Sequence, residues 1–412
     1  MKSHLTTAFL SLALFSTLTA ADWPQWRGPD RDDISKETGL LKKWPDGGPK
    51  KLWMSDKGGL GYSGPAIAGG TLYTMGANDN GEEFLLALDA GTGTEKWRTP
   101  VGPRYPNKWG DGPRATPTVD GDLVYAMGGK GDLLCASTKD GKTVWKAAMA
   151  DIGGKLPGWG YTESVCVDGA NVYATPGGPQ GAVVAFDKLT GKKLWQSTEW
   201  TDGAQYSSIV PTEINGTHQL VQRTSTNVAG IDPKEGKILW KQEFPKGKVA
   251  VIPTPIIKGN QVYVSAGYGA GCMAFTVGAD NKTAVTYENG DMENHHGGVI
   301  LIGDHLFGHS NKGGWTCQDW KTGAVKWVEK SKLGKGAIHC ADGMLYLVDE
   351  SNGTVALIEA STEGWKEQGR FKLDPQTQQR AKDGRIWTHP VVSNGKLYLR
   401  DQELIFCYDV KG

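Results

Sequence analysis

From residue 49 to residue 412 the chain alternates apolar and polar positions in short runs, each opened by a glycine-containing turn. Alternation with period two puts every second side chain on one face, so each run predicts a half-buried strand and each turn a hairpin. The runs read GGTLYTM at 69–75, DGDLVYAM at 120–127, DGANVYAT at 168–175 and NGTHQLVQ at 215–222. They continue as GNQVYVS at 259–265, GDHLFGH at 303–309, DGMLYLV at 342–348 and NGKLYLR at 394–400, eight copies in all.

A second motif, A-x-D-x-x-T-G-x-x-x-W, follows most copies. It reads ALDAGTGTEKW at 87–97, AFDKLTGKKLW at 185–195 and CQDWKTGAVKW at 317–327, with weaker versions GIDPKEGKILW at 230–240 and CASTKDGKTVW at 135–145. Asp can bond nearby backbone N–H groups, Gly tolerates a positive φ, and Trp returns on the next strand with a large apolar area. Two hairpins per unit give four strands every 40–50 residues or so, the arithmetic of a propeller blade. The last unit ends IFCYDVKG at 405–412 without an outer strand, and PKKLWMS at 49–55 supplies one bearing Trp53. The expectation is an all-β, eight-bladed β-propeller of four-stranded antiparallel blades, its ring closed by the N-terminal strand completing the last blade. Residues 1–21 read as a signal peptide, 22–48 as an N-terminal arm packed across the ring, and 49–412 as the propeller.

Composition agrees with many short strands: 58 glycines and 16 tryptophans in 412 residues. Lys+Arg and Asp+Glu both total 45, so no basic excess points to nucleic acid. Lys2, the apolar run from Leu5 to Leu18 and the small residues Thr19, Ala20 and Ala21 have the form of an export signal, which implies a periplasmic or secreted protein. No later run approaches the roughly 18 apolar residues of a membrane span, so direct membrane insertion is not expected. The six cysteines, at 135, 166, 272, 317, 340 and 407, form no CxxC or CxxCH and read as small buried residues.

These motifs resemble the PQQ-like repeat, the blade unit of quinoprotein alcohol dehydrogenases and of BamB, the propeller subunit of the outer-membrane assembly machine. WPQWRGP at 23–29 and NHHGGVILIGDHLFG at 294–308 look more like the exported PQQ-binding-like propeller proteins of bacteria. The resemblance implies the fold directly. It implies two functions: an exported, non-catalytic binding or scaffold propeller for a protein or polysaccharide partner, or a quinone-dependent alcohol or sugar dehydrogenase. The second would bring pyrroloquinoline quinone and calcium. The dehydrogenases sandwich the quinone between a Trp and two adjacent cysteines, and this chain has no adjacent cysteines.

Aligning the units on their glycine turns puts Tyr62, Arg114, Thr162, Ser208, Ile252, His296, Lys335 and Trp387 in one column at the start of the innermost strands. With the loops bearing Trp109, Trp159 and Tyr161, they predict an aromatic and cationic mouth. The ligand-binding candidates are Tyr62, Arg114, Trp159, Glu163, His295, His296, Lys335, Trp387 and His389. Arg104 joins Arg114, Trp109 and Trp159 in a variant reading toward sugars or sulfated polymers, because aromatic faces stack on sugar rings and guanidinium forks suit anions. Glu163 is the one carboxylate placed to act as base or calcium ligand. His295, His296, His339 and His389 lie near three successive inner strands at different depths, which argues against a shared metal. No nucleophile–base pair emerges, so no catalytic residue is assigned.

Overall fold

The computed structural model describes residues 22–246 and 249–412; the expected signal peptide lies outside the described residues. Eight sheets, each with four antiparallel strands in simple meander order, follow one another along the chain at 66–103, 118–148, 166–196, 210–243, 256–289, 299–329, 336–372 and 391–409. We number them blades 1 to 8. In blade 8 the outer strand is Lys50–Ser55, paired with Leu404–Asp409 so that Trp53 faces Cys407. The ring therefore closes through the two ends of the chain, which leaves neither terminal strand as an open edge. Among the described residues the only helical segment is a 3-10 turn at Met149–Ile152. All six cysteines are buried and unpaired.

The repeated motif works between blades. Asp187 accepts the backbone N–H of Thr190 at 2.9 Å and the Thr190 hydroxyl at 2.7 Å, which shapes the turn. Gly191 follows at φ +70°, and a Cβ there would sit 2.6 Å from the Trp145 ring of the preceding blade. The Trp145 indole N–H then donates to the Lys188 carbonyl of that same turn, at 2.9 Å. Trp53, Trp97, Trp195 and Trp327 likewise donate to the turn of the next blade, at Ala90, Thr138, Pro233 and Ser361. Thr-Gly and Trp are thus two halves of one contact: Gly is bare because its neighbour's indole lies on it.

The arm packs across the ring along the inner edges of the blades. Trp23 pairs with Ile67 of blade 1, and the Pro24 carbonyl accepts Val119 N–H of blade 2. Arg31 donates to Val165 and Ile209 at the entries to blades 3 and 4. The Trp26 indole bonds Thr254 before blade 5, and Arg27 bonds the Val299 carbonyl of blade 6 at 2.7 Å. Ile34–Ser35 adds a parallel strand inside blade 7, and Asp33 meets His389 before blade 8. One loop therefore touches the inner edge of every blade. The physical reason is satisfaction: the innermost strands turn carbonyls toward the axis, and two buried arginines supply donors for them.

Candidate functional site

The arm, which meets the inner edge of every blade, closes the channel on one side of a cup of about 210 Å³. Trp26 forms the floor, half-buried and edge-on to His389 at 4.6 Å between ring centroids. Above it the walls are aromatic. Tyr62 and Trp387, 5.0 Å apart, come from the entries to blades 1 and 8. Trp159 and Tyr206, 5.6 Å apart, come from the entries to blades 3 and 4. Tyr268 stands against His295 at 5.1 Å on the far side, and Trp109 completes the wall at blade 2.

The column aligned on the glycine turns is a ring of cup residues. Seven of its eight members line the cavity, and Lys335 lies just behind, its Nζ 2.8 Å from His295 Nδ1. Of the nine candidates, Tyr62, Arg114, Trp159, His295, His296, Trp387 and His389 line the wall. Glu163 does not. Thr162 and Ser164 face the cup, so the residue between them on an extended segment must face away. Its carboxylate accepts Thr175 N–H at 2.6 Å and the Thr175 hydroxyl at 3.0 Å, with Gln222 at 3.2 Å. Burial pushes this acid up to about 7, against those hydrogen bonds and the nearby charge of Arg31. Tyr161 also leaves the expected mouth: it is buried between blades, its hydroxyl on the Pro176 carbonyl. Arg104 lies outside the cup, 3.5 Å from Asp111.

The ionic groups around the cup are held by neighbouring protein groups. Arg114 donates to the Gly110 and Gly112 carbonyls at 2.8 and 2.7 Å, its guanidinium beside the rings of Tyr62 and Tyr105. Glu350 sits 2.7 Å from His296 Nε2 and accepts the Trp387 indole N–H at 3.1 Å. Burial favours its neutral form, but the contacts with His296 and the charge of Lys335 outweigh this and hold its carboxyl below the usual range. Burial drives His295 down to about 3, aided by His296 and Lys335, so its ring is neutral at any working pH.

Below the floor, His339 and His389 converge on Asp33, at 3.0 and 3.4 Å. His339 Nε2 accepts Val392 N–H, so its Nδ1–H donates to Asp33. The two histidines anchor the arm's carboxylate, which explains why they occupy different depths. Sequence reasoning missed Trp26, Asp33, Tyr206, Tyr268 and Glu350. The first two lie in the arm, outside the repeat. The others sit in loops whose length varies between units, and only Tyr206, two residues before the aligned column's Ser208, carried a usable positional signal.

These residues do not fit calcium with a quinone. Calcium takes six to eight oxygen ligands, several from carboxylates. Among the described residues no carboxylate lines the cup, and Glu350, the acid behind its wall, is engaged by His296 and Trp387. Among the described residues no cluster of three His, Cys, Asp or Glu is placed to hold a metal ion.

The eight four-stranded blades and the recurring Thr-Gly and Trp contact are those of a PQQ-like propeller. The chain belongs to the family described as outer membrane protein assembly factor BamB, whose model matches residues 45–148 and 81–329. It is 29% identical over 173 residues to the serine/threonine-protein kinase AfsK of Streptomyces griseus, covering 40% of this chain and only 20% of that protein. The chain thus spans about a fifth of that relative's length. Among solved structures it is similar to the computationally designed Ika8 protein, with TM-score 0.60 and 10% identity over 88% of this chain and all (100%) of the other. It is also similar to the quinohemoprotein alcohol dehydrogenase of Comamonas testosteroni, with TM-score 0.49 and 11% identity over 95% and 81% of the two chains. At 10% identity the likeness to Ika8 shows a shared fold.

Proposed function

We propose that this is an exported, non-catalytic binding propeller that captures part of a protein or polysaccharide partner in the aromatic cup. The observation that carries the reading is the cup itself. It is concave and walled by aromatic side chains, while its histidines and Arg114 are held by neighbouring protein groups rather than directed at a reacting atom. Family membership favours an interaction role, and the leading segment of the sequence supports a site of action outside the cytoplasm. The test is retention of the purified protein on immobilised polysaccharides and on arrays of defined peptides. Trp159→Ala and Trp387→Ala should each lose most of the retention. Binding that survives in both variants would put the partner elsewhere and overturn the cup as the site.

A further inference from the structure

Trp109 and Trp159 are presented by two copies of one loop on adjacent blades. Gly110 N–H bonds the Asn107 carbonyl and Gly160 N–H bonds the Pro157 carbonyl, both at 2.9 Å, and both glycines have positive φ. Tyrosine hydroxyls then pin each loop from outside. Tyr62 donates to the Trp109 carbonyl, Tyr105 donates to the Gly158 carbonyl at 2.8 Å, and Trp159 N–H donates to Tyr206 at 3.3 Å. The two loop backbones are therefore held in place before any ligand arrives, which lowers the ordering cost of binding. Repeated flat faces on neighbouring blades suit a ligand that is itself a repeat of flat, weakly polar units.

Charge narrows the class. Arg114, Lys335 and Glu350 all have partners within the protein, and His295 is held neutral by burial. Within the cup a carboxylate or sulfate would have to share Arg114 with the Gly110 and Gly112 carbonyls, and exposed Lys108 lies 5.1 Å from the Trp109 ring centroid. What the wall does offer is hydroxyls. Ser164 Oγ accepts Thr116 N–H and Ser208 Oγ accepts Ser164 N–H, so each keeps its own O–H proton to donate. Alternating aromatic faces and hydroxyl donors match the faces and edges of pyranose rings. The Trp26 floor adds direction, because a cup closed on one side admits an end and not the middle of a chain.

The backbone supplies an independent sign. Ala250 and Tyr268 both line the cup, and both hold positive φ, +47° and +57°, without being glycine. Most other non-glycine residues with positive φ in the blades are Asn or Asp at hairpin turns. Strain of this kind persists where surrounding structure enforces a functional geometry.

We propose that the cup binds the end of a neutral oligosaccharide, with successive pyranose rings stacked on Trp109 and Trp159 and the terminal unit against Trp26. This rests on the binding reading of the cup. The experiment is calorimetric and fluorescence titration of the full protein with neutral hexasaccharides of β-1,4-linked glucose, mannose and xylose, and with hexagalacturonate as the charged control. At least one neutral hexamer should bind with Kd below about 1 mM. Trp109→Ala and Trp159→Ala should each weaken it roughly tenfold, with Phe at either position restoring most of the loss. Stoichiometry on a long polymer of the same sugar should count chain ends rather than residues. Failure of all three neutral hexamers, a preference for hexagalacturonate, or binding indifferent to both tryptophans would overturn the proposal. If a peptide instead raises the melting temperature of the native protein but not of Trp159→Ala, the cup remains the binding site and only the sugar is rejected.

Discussion

Asp33 and Glu163 are both buried carboxylates, and their surroundings push them in opposite directions. Burial alone would raise Asp33, but hydrogen bonds from His339 and His389 and the charge of Arg27 hold it far below the ordinary carboxylate range. A depressed acid stabilises the fold at every pH above the unfolded value of about 3.9, and the contribution is lost only as pH falls below that. Asp33→Asn should therefore cost about 3–5 kcal/mol at neutral pH, the usual result of breaking a buried charged contact, read as a lower urea midpoint. Glu163 has the reverse sign. Its folded value of about 7 lies above the unfolded one, so stability is highest in acid and falls as pH rises through neutrality. Melting temperature should decline between pH 5 and pH 8, and Glu163→Gln should flatten that slope and melt higher than the native protein at pH 8. The difference at pH 8 is on the order of 2–3 kcal/mol; a slope unchanged in the variant would mean that Glu163 stays ionised. Neither role was legible in the sequence. Glu163 stood out as a lone acid near the axis, and one residue of strand parity decided which way it pointed.

At the scale of the blade the sequence was far more readable, because the same contact is written several times. Asp, Thr-Gly and Trp recur at fixed offsets, and the structure adds that the Trp of one blade needs the Gly of the next. Gly191→Ala should cost about 2–4 kcal/mol, from an alanine forced to positive φ and from crowding against Trp145. Trp145, which is buried, should cost about 3–5 kcal/mol on replacement by Ala. The same change at half-buried Trp97 should cost less. Denaturant midpoints of the three variants check the order; a Trp145→Ala loss under about 1 kcal/mol would refute the inter-blade staple. Unit 273–287 shows how the pattern degenerates without losing the contact. Tyr287 takes the Trp position, and its hydroxyl bonds the Trp320 carbonyl of the next turn at 3.0 Å. The aligned column carried over to the cup for the same reason: a repeat fixes where inner strands begin, hence which side chains meet at the axis.

The whole molecule depends on two closures, and only one could be read from the chain. The strand swap in blade 8 was legible because the last unit lacks a strand and the first residues of the propeller supply it. The axial plug was not, since WPQWRGPDRDD occurs once and nothing in a single copy says that it bonds all eight blades. Yet that loop seals the channel and sets the floor of the cup. Replacing Arg31, whose guanidinium joins blades 3 and 4, with Ala should remove a donor from the Ser164, Val165 and Ile209 carbonyls, of which Val165 keeps the Thr118 hydroxyl. Hydrogen exchange should then rise at the inner strands of those two blades and stay low in blade 6, and uniform protection would show that the arm is dispensable. The central claim, a cup that binds without quinone chemistry, is tested most directly by titrating the purified protein with pyrroloquinoline quinone and calcium in the presence of alcohols, aldoses and a reducible dye. The account predicts no saturable binding at high micromolar quinone and no dye reduction. Saturable binding that Trp387→Ala abolishes, accompanied by dye reduction, would contradict it and make the cup a dehydrogenase site.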